Sequence, residues 1–392
     1  MKWTDYGLLL SGAVLLASCG GTPSASPSVS SPSARASAPS SASARAKPAA
    51  SSAPAAGSAS ASAAPAGSKS PIKIGSLQDM NGAFASLGAE VHLSTDIVVN
   101  QINSTGGIDG HPVQVLYADP RSDPAQALDL ATQLVQRDHV DVLMGANPSS
   151  ECLGVSRLAG KLGVVFVPTT GCATDVLTTQ NCNAQTFRVF PNSTQTLDAE
   201  TATLVAKYGK TWGVFYPDYA FGQSLLKAFD GALKKVGGEV KVKIATPINE
   251  PNLEAYVSKI PTDGSIAGLL DAQGGADLVR GLQAMQRFGV LKKLPLVLGS
   301  GGREFFGGVY PSIVDGAMLT GIDPSQPRPD NAYEKAFQKA FSEMATKQPS
   351  IAALLGGVDK ATPGTSAGYG AYLSMTALKQ AMKASHFSGK AD

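Results

Sequence analysis

From residue 71 onward, short runs of apolar residues alternate with longer segments in which apolar residues recur at every third or fourth position. Uninterrupted apolar runs are typical of parallel strands buried on both faces, and the longer periodic segments are typical of amphipathic helices. The first predicted strands are Ile72–Leu77, Val113–Ala118, Val140–Met144 and Val164–Val167, and the helices between them are Gly88–Asn103, Pro124–Asp138 and Glu151–Leu162. This alternation predicts a doubly wound parallel α/β sheet.

A second series of the same kind follows a strand-like link at Phe187–Pro191. Its predicted helices are Thr194–Tyr208, Phe221–Val236, Leu253–Ile260 and Gly275–Phe288, and its predicted strands are Trp212–Tyr216, Val240–Ala245, Ile266–Asp271, Leu294–Leu298 and Gly316–Gly321. Two amphipathic helices, Asn331–Lys347 and Ser366–Ala384, end the chain. The predicted fold is therefore α/β, with two doubly wound parallel-sheet lobes joined by a multi-strand hinge.

The lobe boundaries follow from where the two series join. Residues 71–190 together with 323–392 are predicted to form the N-terminal lobe, and residues 191–322 the C-terminal lobe. The chain crosses between them at about 187–192 and again at about 321–324. A cleft between two such lobes is a preferred place for a ligand.

The segment before residue 71 has a different character. Residues 1–19 resemble a lipoprotein signal peptide, with Lys2, an apolar run and then Leu-Ala-Ser-Cys ending at Cys19. Cys19 is the predicted lipidation site, and an ordinary secretory signal cleaved near Ser18 is the alternative. Residues 20–70 are almost wholly Ser, Ala, Pro and Gly, which predicts a disordered tether. We expect an extracytoplasmic, membrane-anchored protein.

Charge and cysteine content limit the classes of protein to which the chain can belong. Beyond residue 70 the chain has 27 basic and 29 acidic residues, which leaves no basic surface typical of nucleic-acid binding. Three cysteines remain after Cys19, namely Cys152, Cys172 and Cys182. Because disulfides persist outside the cytoplasm, we expect one pair to be oxidised. Cys172 with Cys182 closes a short loop and is preferred; Cys152 with either partner is the alternative.

Several chemistries find no support in the sequence. The four histidines have neither paired spacing nor a neighbouring cysteine at metal-ligand intervals, so no metal site is expected. Gly154–Leu162 has the wrong spacing for a phosphate loop, and Gly299–Gly302 matches neither a dinucleotide fingerprint nor a nucleophile elbow. We expect no cofactor and no enzymatic activity.

Polar loops follow the third and fourth predicted strands, at Asn147–Ser150 and Pro168–Gly171. Ligands of open α/β sheets bind at the carboxyl ends of such strands. Hydroxyl groups and free backbone N–H groups beside a helix N-terminus favour a small polar or anionic group there.

Seven segments follow one another between about Ile72 and Lys383: IKIGSLQDMNGAFASLGAE, NQINSTGGIDGHPVQV, ADPRSDPAQALDLATQLVQRDHVDVLMG, FRVFPN, YPDYAFGQSLLKAFDGALKKVGGEV, GLQAMQRFGV and GYGAYLSMTALKQA. In this order they resemble the leucine/isoleucine/valine-binding family of ABC-transporter substrate-binding proteins, which have the type I periplasmic-binding fold. The resemblance covers nearly all of the chain after the predicted tether. It implies a tethered monomeric receptor that captures an amino acid or a related small amide or carboxylate between its lobes. The receptor would deliver this solute to a membrane permease with ATPase subunits.

The resemblance also implies roles for individual residues. The predicted ligand-binding residues are Ser149, Ser150, Thr169 and Thr170 for a carboxylate, Asp277 for an ammonium group, Tyr219 as an aromatic cover, and Gln78 and Leu87 at the cleft. Some relatives carry a tryptophan about where Leu87 stands, so a differently shaped pocket is expected. The serines could instead only cap the next helix, and Asp277 could be an ordinary acid of a first helical turn.

Relatives continue beyond the last predicted helix, whereas this sequence stops at Asp392. On this basis we expect the second lobe to lack a strand, the hinge to lack its third crossing, and the second lobe to have reduced stability. The alternatives to an uptake receptor are a sensor of the same fold that signals to a membrane partner, a truncated product that no longer binds, and an enzyme with a convergent active site in the cleft.

Overall fold

The computed structural model describes residues 69–170, 172–299, 306, 312–319, 331–363, 367–387 and 389. The predicted signal peptide, Cys19 and nearly all of the predicted tether lie outside the described residues, as do residues 300–302 and 323–329. The described part forms two parallel-sheet α/β lobes, as the hydrophobic pattern predicts.

Lobe one has a four-stranded parallel sheet with the strand order β2-β1-β3-β4. Its strands are β1 (Ile72–Leu77), β2 (Val113–Ala118), β3 (Val142–Gly145) and β4 (Val165–Pro168). The connecting helices are α1 (Ala85–Ser104), α2 (Pro124–Gln136) and α3 (Ser149–Leu162). Because helices cover both faces, β3 is buried at all four positions, which explains its uninterrupted apolar sequence.

Lobe two has a five-stranded parallel sheet with the order β6-β5-β7-β8-β9. Its strands are β5 (Thr211–Pro217), β6 (Glu239–Thr246), β7 (Gly268–Asp271), β8 (Leu296–Leu298) and β9 (Met318–Leu319). Its helices are α4 (Ser193–Tyr208), α5 (Ala220–Lys235), α6 (Glu254–Val257) and α7 (Gly275–Arg287). Strands β5, β6, β7 and β8 therefore repeat the order of the whole first sheet.

The last helices return to lobe one. These are α8 (Ala332–Lys347), α9 (Pro349–Ala352) and α10 (Gly368–Ala384), and all three contact α1. Phe337 of α8 is fully buried and packs at a tilt against the rings of Tyr369 and Tyr372 of α10. An added Cβ at Gly370 of α10 would lie 2.1 Å from the carbonyl oxygen of Thr169, so only glycine fits at this contact.

The structure differs from the predicted elements mainly at short or irregular segments. No strand forms at 187–191, because the pairing occurs just before it: Phe187 donates to the Phe166 carbonyl at 3.0 Å and Phe166 to that of Gln185 at 2.8 Å. The helix predicted at Leu253–Ile260 contains only α6 as regular helix. It tightens into i→i+3 hydrogen bonds before Pro261, as expected since a proline disfavours helical geometry in the preceding residue.

Within the described residues, we find no helix that is both long enough and apolar enough to pass through a bilayer.

Candidate functional site

Each sheet has one point at which the strand order reverses, and the predicted site residues lie next to these two points. In lobe one the reversal falls between β1 and β3, and in lobe two between β5 and β7. Ligands of doubly wound folds bind at the carboxyl ends of strands at such switch points. The segments that follow these four strands therefore form the walls of the candidate site.

The predicted hydroxyl residues of lobe one are brought together around Asn147. Ser149, Thr169 and Thr170 are buried, and Ser150 is half-buried. Thr169 donates to the side-chain oxygen of Asn147 and Thr170 to its carbonyl oxygen, both at 3.3 Å. The Ser149 hydroxyl oxygen accepts from the backbone N–H of Ala173 at 3.0 Å. These bonds tie the loops after β3 and β4 to each other.

A disulfide joins the same two loops, and it corrects the predicted pairing. Cys152 in the first turn of α3 is bonded to Cys172, which follows β4. The prediction of a Cys172–Cys182 bond is therefore wrong. The two paired cysteines are 20 residues apart in sequence, but β3 and β4 are neighbouring parallel strands whose carboxyl ends lie side by side. Sheet adjacency, and not closeness in sequence, determines the pairing.

Gln78 and Leu87 make contacts inside lobe one. The fully buried Gln78 amide donates to the Ser76 hydroxyl at 2.9 Å, and its oxygen lies 3.0 Å from Nδ1 of His92. Leu87 packs with residues of α1 and α10 in a small apolar cluster that includes Val91 and Ala371. Ligand contact by Gln78 and Leu87 stays a prediction.

Tyr219 and Asp277 form the wall of lobe two. Tyr219 is the residue before α5, and its ring centroid lies 6.2 Å from that of Phe221. Asp277, in the first turn of α7, is 5% exposed. Its carboxylate accepts from the backbone N–H of Asn249 at 2.8 Å and from the guanidinium of Arg280. Burial raises the pKa of Asp277, and the bonds from Asn249 and Arg280 partly offset this rise.

Two further acids lie at the switch point of lobe one, and sequence reasoning did not select either of them. Asp79 follows β1, Glu151 is in the first turn of α3, and both side chains are fully buried. Burial, together with the charge of Asp79, raises the pKa of Glu151 to about 9. Burial raises the pKa of Asp79 to about 6, and the backbone N–H of Ser122 opposes that rise. An acid on the buried face of α3, one turn before buried Val155, was the available sequence signal.

Tyr219 links the two walls electrostatically. Burial raises the pKa of its hydroxyl, and the charges of Asp277 and Glu151 raise it further. The hydroxyl therefore lies within the field of one carboxyl group from each lobe. The lobes also touch elsewhere: Thr174 donates its backbone N–H to Ser224 at 2.9 Å, and Lys227 pairs with Asp175 at 2.9 Å.

A close approach between the lobes occurs at the start of α7. Gly275 has φ +59°, and an added Cβ would lie 2.7 Å from the carbonyl oxygen of Ala83 in lobe one. Both features require glycine at this position. Among the described residues no three His, Cys, Asp or Glu side chains are arranged to hold a metal ion.

Two parallel-sheet α/β lobes with one switch point each are the fold shared by periplasmic binding proteins. A family model described as "periplasmic binding protein" matches residues 71–392, and the chain belongs to this family. Membership implies an extracytoplasmic location, and the family consists of substrate-binding proteins and not of enzymes.

Curated relatives agree with this family. A Leu/Ile/Val-binding protein homolog of Brucella melitensis is 30% identical over 52% of this chain and 56% of that protein. An amino acid binding protein of Pseudomonas aeruginosa is 24% identical over 50% of this chain and 52% of that protein. The matched region therefore spans little more than half the length of these relatives.

Solved structures share the fold. An amino acid ABC-transporter substrate-binding protein from Pseudomonas fluorescens superposes with a TM-score of 0.68 at 20% identity, covering 83% of this chain and 82% of that chain. A Rhodopseudomonas palustris solute-binding protein in complex with 3,4-dihydroxybenzoic acid gives 0.67 at 18% identity, covering 81% and 82%.

Proposed function

We propose that the protein is the extracytoplasmic receptor of an ABC uptake transporter and binds an amino acid or a related small amide or carboxylate between its lobes. The observation that carries the proposal is the close approach of the two switch points: Gly275 at the start of α7 leaves room for only a hydrogen beside the carbonyl oxygen of Ala83 in lobe one, and Tyr219 lies within the field of Glu151 and Asp277. A solute between the two switch points would contact both walls at once.

Binding works through closure of the two lobes. A solute that touches only one wall in the open state touches both in the closed state, so it binds the closed state more tightly and increases its population. The size of that shift equals the difference in affinity between the two states. The closed form then delivers the solute to the permease.

The N-terminal segment supplies the attachment to the membrane. Lipidation at Cys19 would anchor the chain, and residues 20–70 would act as a flexible coil with a root-mean-square reach of about 40 Å. This reach keeps the folded lobes near the permease while leaving them free to open and close.

A thermal-shift screen of the full chain against amino acids, amides and small aromatic acids tests the proposal. A solute at 100 times its Kd adds about 2.7 kcal/mol to the free energy of unfolding. The shift should disappear in Tyr219→Ala and persist in Tyr256→Ala, since Tyr256 of α6 contacts Lys259 and lies on another element. A folded wild-type protein that no compound stabilises would overturn the proposal.

A further inference from the structure

The lobe-one wall of the cleft contains buried carboxyl oxygens to which no N–H or O–H group of the described residues donates in good geometry. Glu151 is fully buried, and both of its carboxyl oxygens lack such a donor; its hydrogen-bonding neighbour is the carboxyl group of Asp79, with which it can share a proton. One carboxyl oxygen of fully buried Asp79 lacks a donor as well. Buried polar groups are nearly always hydrogen-bonded, because leaving one unpaired costs about 1–3 kcal/mol. Buried polar groups without a donor at a switch point therefore indicate that a ligand supplies the missing hydrogen bonds.

A second, independent observation lies beside these acids. Asn147 is 6% exposed, and its side-chain nitrogen makes no hydrogen bond of good geometry within the described part of the chain, although it lies close enough to Asp79 to lower the pKa of that carboxyl group. Its oxygen, in contrast, already accepts from Thr169. The hydroxyls of Thr169 and Thr170 donate to Asn147, so they are engaged within the loop instead of being directed at a carboxylate. The wall thus offers mainly acceptors.

Within the described part of the chain, the charges that act on Glu151 are all negative. They come from Asp79 after β1, Asp119 after β2 and Asp123 at the start of α2, and Tyr219 of lobe two faces the same carboxyl. Lobe two adds a further acceptor at its own switch point, because one oxygen of fully buried Asp271 lacks a partner among the described residues. A carboxylate ligand would meet like charge on this wall, whereas a cation would be attracted.

We propose that the cleft takes a solute with an ammonium or guanidinium group that is not adjacent to a carboxylate, and that Glu151 together with Asp79 receives this group on the lobe-one wall. The inference rests on the proposed receptor function and names the class of its solute. Two carboxyl groups and the Tyr219 hydroxyl offer oxygen acceptors to N–H donors, and hydrogen bonds between ionised partners are the strong ones.

Proton release gives the proposal a second readout. With the pKa of Glu151 raised to about 9 and that of Asp79 to about 6, the empty pair holds one proton at pH 7.5. A bound cation favours the fully ionised pair, so the proton leaves to solvent as the solute enters. The other groups facing Glu151 are Asp119, Asp123 and Tyr219, and none of them carries positive charge.

The experiment compares matched probes on the full chain at pH 7.5. Arginine, lysine and agmatine are the cations, citrulline and norleucine are the counterparts of arginine and lysine with uncharged side chains, and 4-hydroxybenzoate is the anion. Thermal shift selects binders, and calorimetry in two buffers of different ionisation enthalpy gives Kd and the number of protons released. We expect a cation to bind at least tenfold more tightly than its uncharged counterpart, with about one proton released.

Glu151→Gln should weaken that cation about 10- to 100-fold, because a charge-assisted bond is lost. The same variant should raise the melting temperature of the ligand-free protein, because it removes a buried carboxyl beside other acids. If Glu151 only stabilised the fold, its replacement would not both weaken binding of the cation and raise the melting temperature. Asp79→Asn should weaken binding in the same direction, and Glu239→Gln, at an exposed position, is the matched control with no effect.

Every other outcome overturns the inference. Binding of citrulline, norleucine or 4-hydroxybenzoate that depends on Tyr219 and is unchanged in Glu151→Gln would leave the receptor function standing and reject the cationic class. Stabilisation by Ca²⁺ or Mn²⁺ alone would assign the acids to a metal ion. If no compound binds the folded protein, the receptor function and this inference both fail.

Discussion

Glu151 and Asp277 occupy the same place in the two lobes, but they have different surroundings. Each is the third residue of the helix that follows the third strand of its sheet, α3 in lobe one and α7 in lobe two. Both acids therefore face the positive end of a helix. Arg280, three residues after Asp277, donates to it, whereas Gly154 holds the corresponding position after Glu151.

The comparison extends to the other side of each switch point. Asp79 comes two residues after β1, and Tyr219 comes two residues after β5. Lobe one therefore presents two carboxyl groups, while lobe two presents a phenol and a carboxylate that already has partners. The same backbone geometry therefore places an acid with protein partners in lobe two, and in lobe one an acid to which no N–H group of the described residues donates.

The disulfide is a further difference between the two lobes, and removing it should have the largest effect on the free energy of unfolding. Cys152 follows Glu151, and the apolar Leu278 holds the same place after Asp277. Replacing both Cys152 and Cys172 by serine should lower the free energy of unfolding by about 3 kcal/mol, as measured by urea titration, because the unfolded chain is no longer cross-linked.

Peptide mapping without reduction provides the direct check on that pair. A crosslinked peptide containing Cys152 and Cys172 is expected. A peptide that joins Cys172 to Cys182 would contradict the structure and restore the pairing that the sequence favoured.

The pH dependence of stability is the next largest effect. The pKa of Glu151 rises from 4.5 unfolded to about 9 folded, so the folded protein binds more protons within this window. The contribution of Glu151 to the free energy of unfolding is therefore greatest below pH 4.5, and it is lost as the pH rises towards 9. The free energy of unfolding of the ligand-free protein, measured by urea titration, should therefore fall steadily between pH 5 and pH 9.

Melting curves of Glu151→Gln and wild-type protein across this range isolate the contribution of one residue. The fall above pH 7 should be smaller in the variant, while Asp79 and Asp271, with pKa values raised to about 6 and about 7, keep the fall below pH 7 in both proteins. Equal slopes in both proteins would show that Glu151 does not titrate in this range.

The fold could be predicted from the sequence because its signal is repeated and local. Strands β1 and β2 begin and end where the apolar runs do, and the long helices agree with their periodic segments. The exceptions are segments whose structure depends on distant partners. Phe187 pairs with the Phe166 carbonyl at 3.0 Å and does not start a strand, since only the folded sheet supplies that partner.

The candidate site could be predicted as a location but not as a set of interactions. Residues at strand ends, such as Thr169, Tyr219 and Asp277, follow from the switch-point rule. Whether an acid at a strand end has hydrogen-bond donors depends on tertiary contacts. The carboxylate of Asp277, for example, accepts a hydrogen bond from the backbone N–H of Asn249, 28 residues earlier in the chain. One local signal was present in the sequence. Residues three apart on a helix can form an ion pair, and the residue three after Glu151 is a glycine, which has no side chain to pair with it.

Removing the charge of Asp277 tests whether its partners stabilise lobe two. Asp277→Asn keeps the size of the side chain but turns a charge-assisted bond from Arg280 into a poorer contact. We expect a loss of about 1–2 kcal/mol in urea unfolding. Glu151→Gln, the same kind of change at the equivalent place, should cause no loss. Equal destabilisation by both variants would mean that the two acids have similar surroundings.

The smallest expected effect on stability comes from Arg280→Ala, which gives Asp277 the local surroundings of Glu151. Arg280 is 38% exposed, so its loss should cost less than about 1 kcal/mol. The pKa of Asp277 should nevertheless rise, because the cation that favours its ionised form is gone while burial remains. Carboxyl NMR titration measures this pKa directly. The control is Arg287→Ala, which removes another arginine of α7 and breaks its exposed ion pair with Glu254 of α6. An unchanged pKa would show that the backbone N–H of Asn249 alone keeps Asp277 ionised. In that case the lack of a basic residue at position 154 would not explain why the pKa of Glu151 differs from that of Asp277.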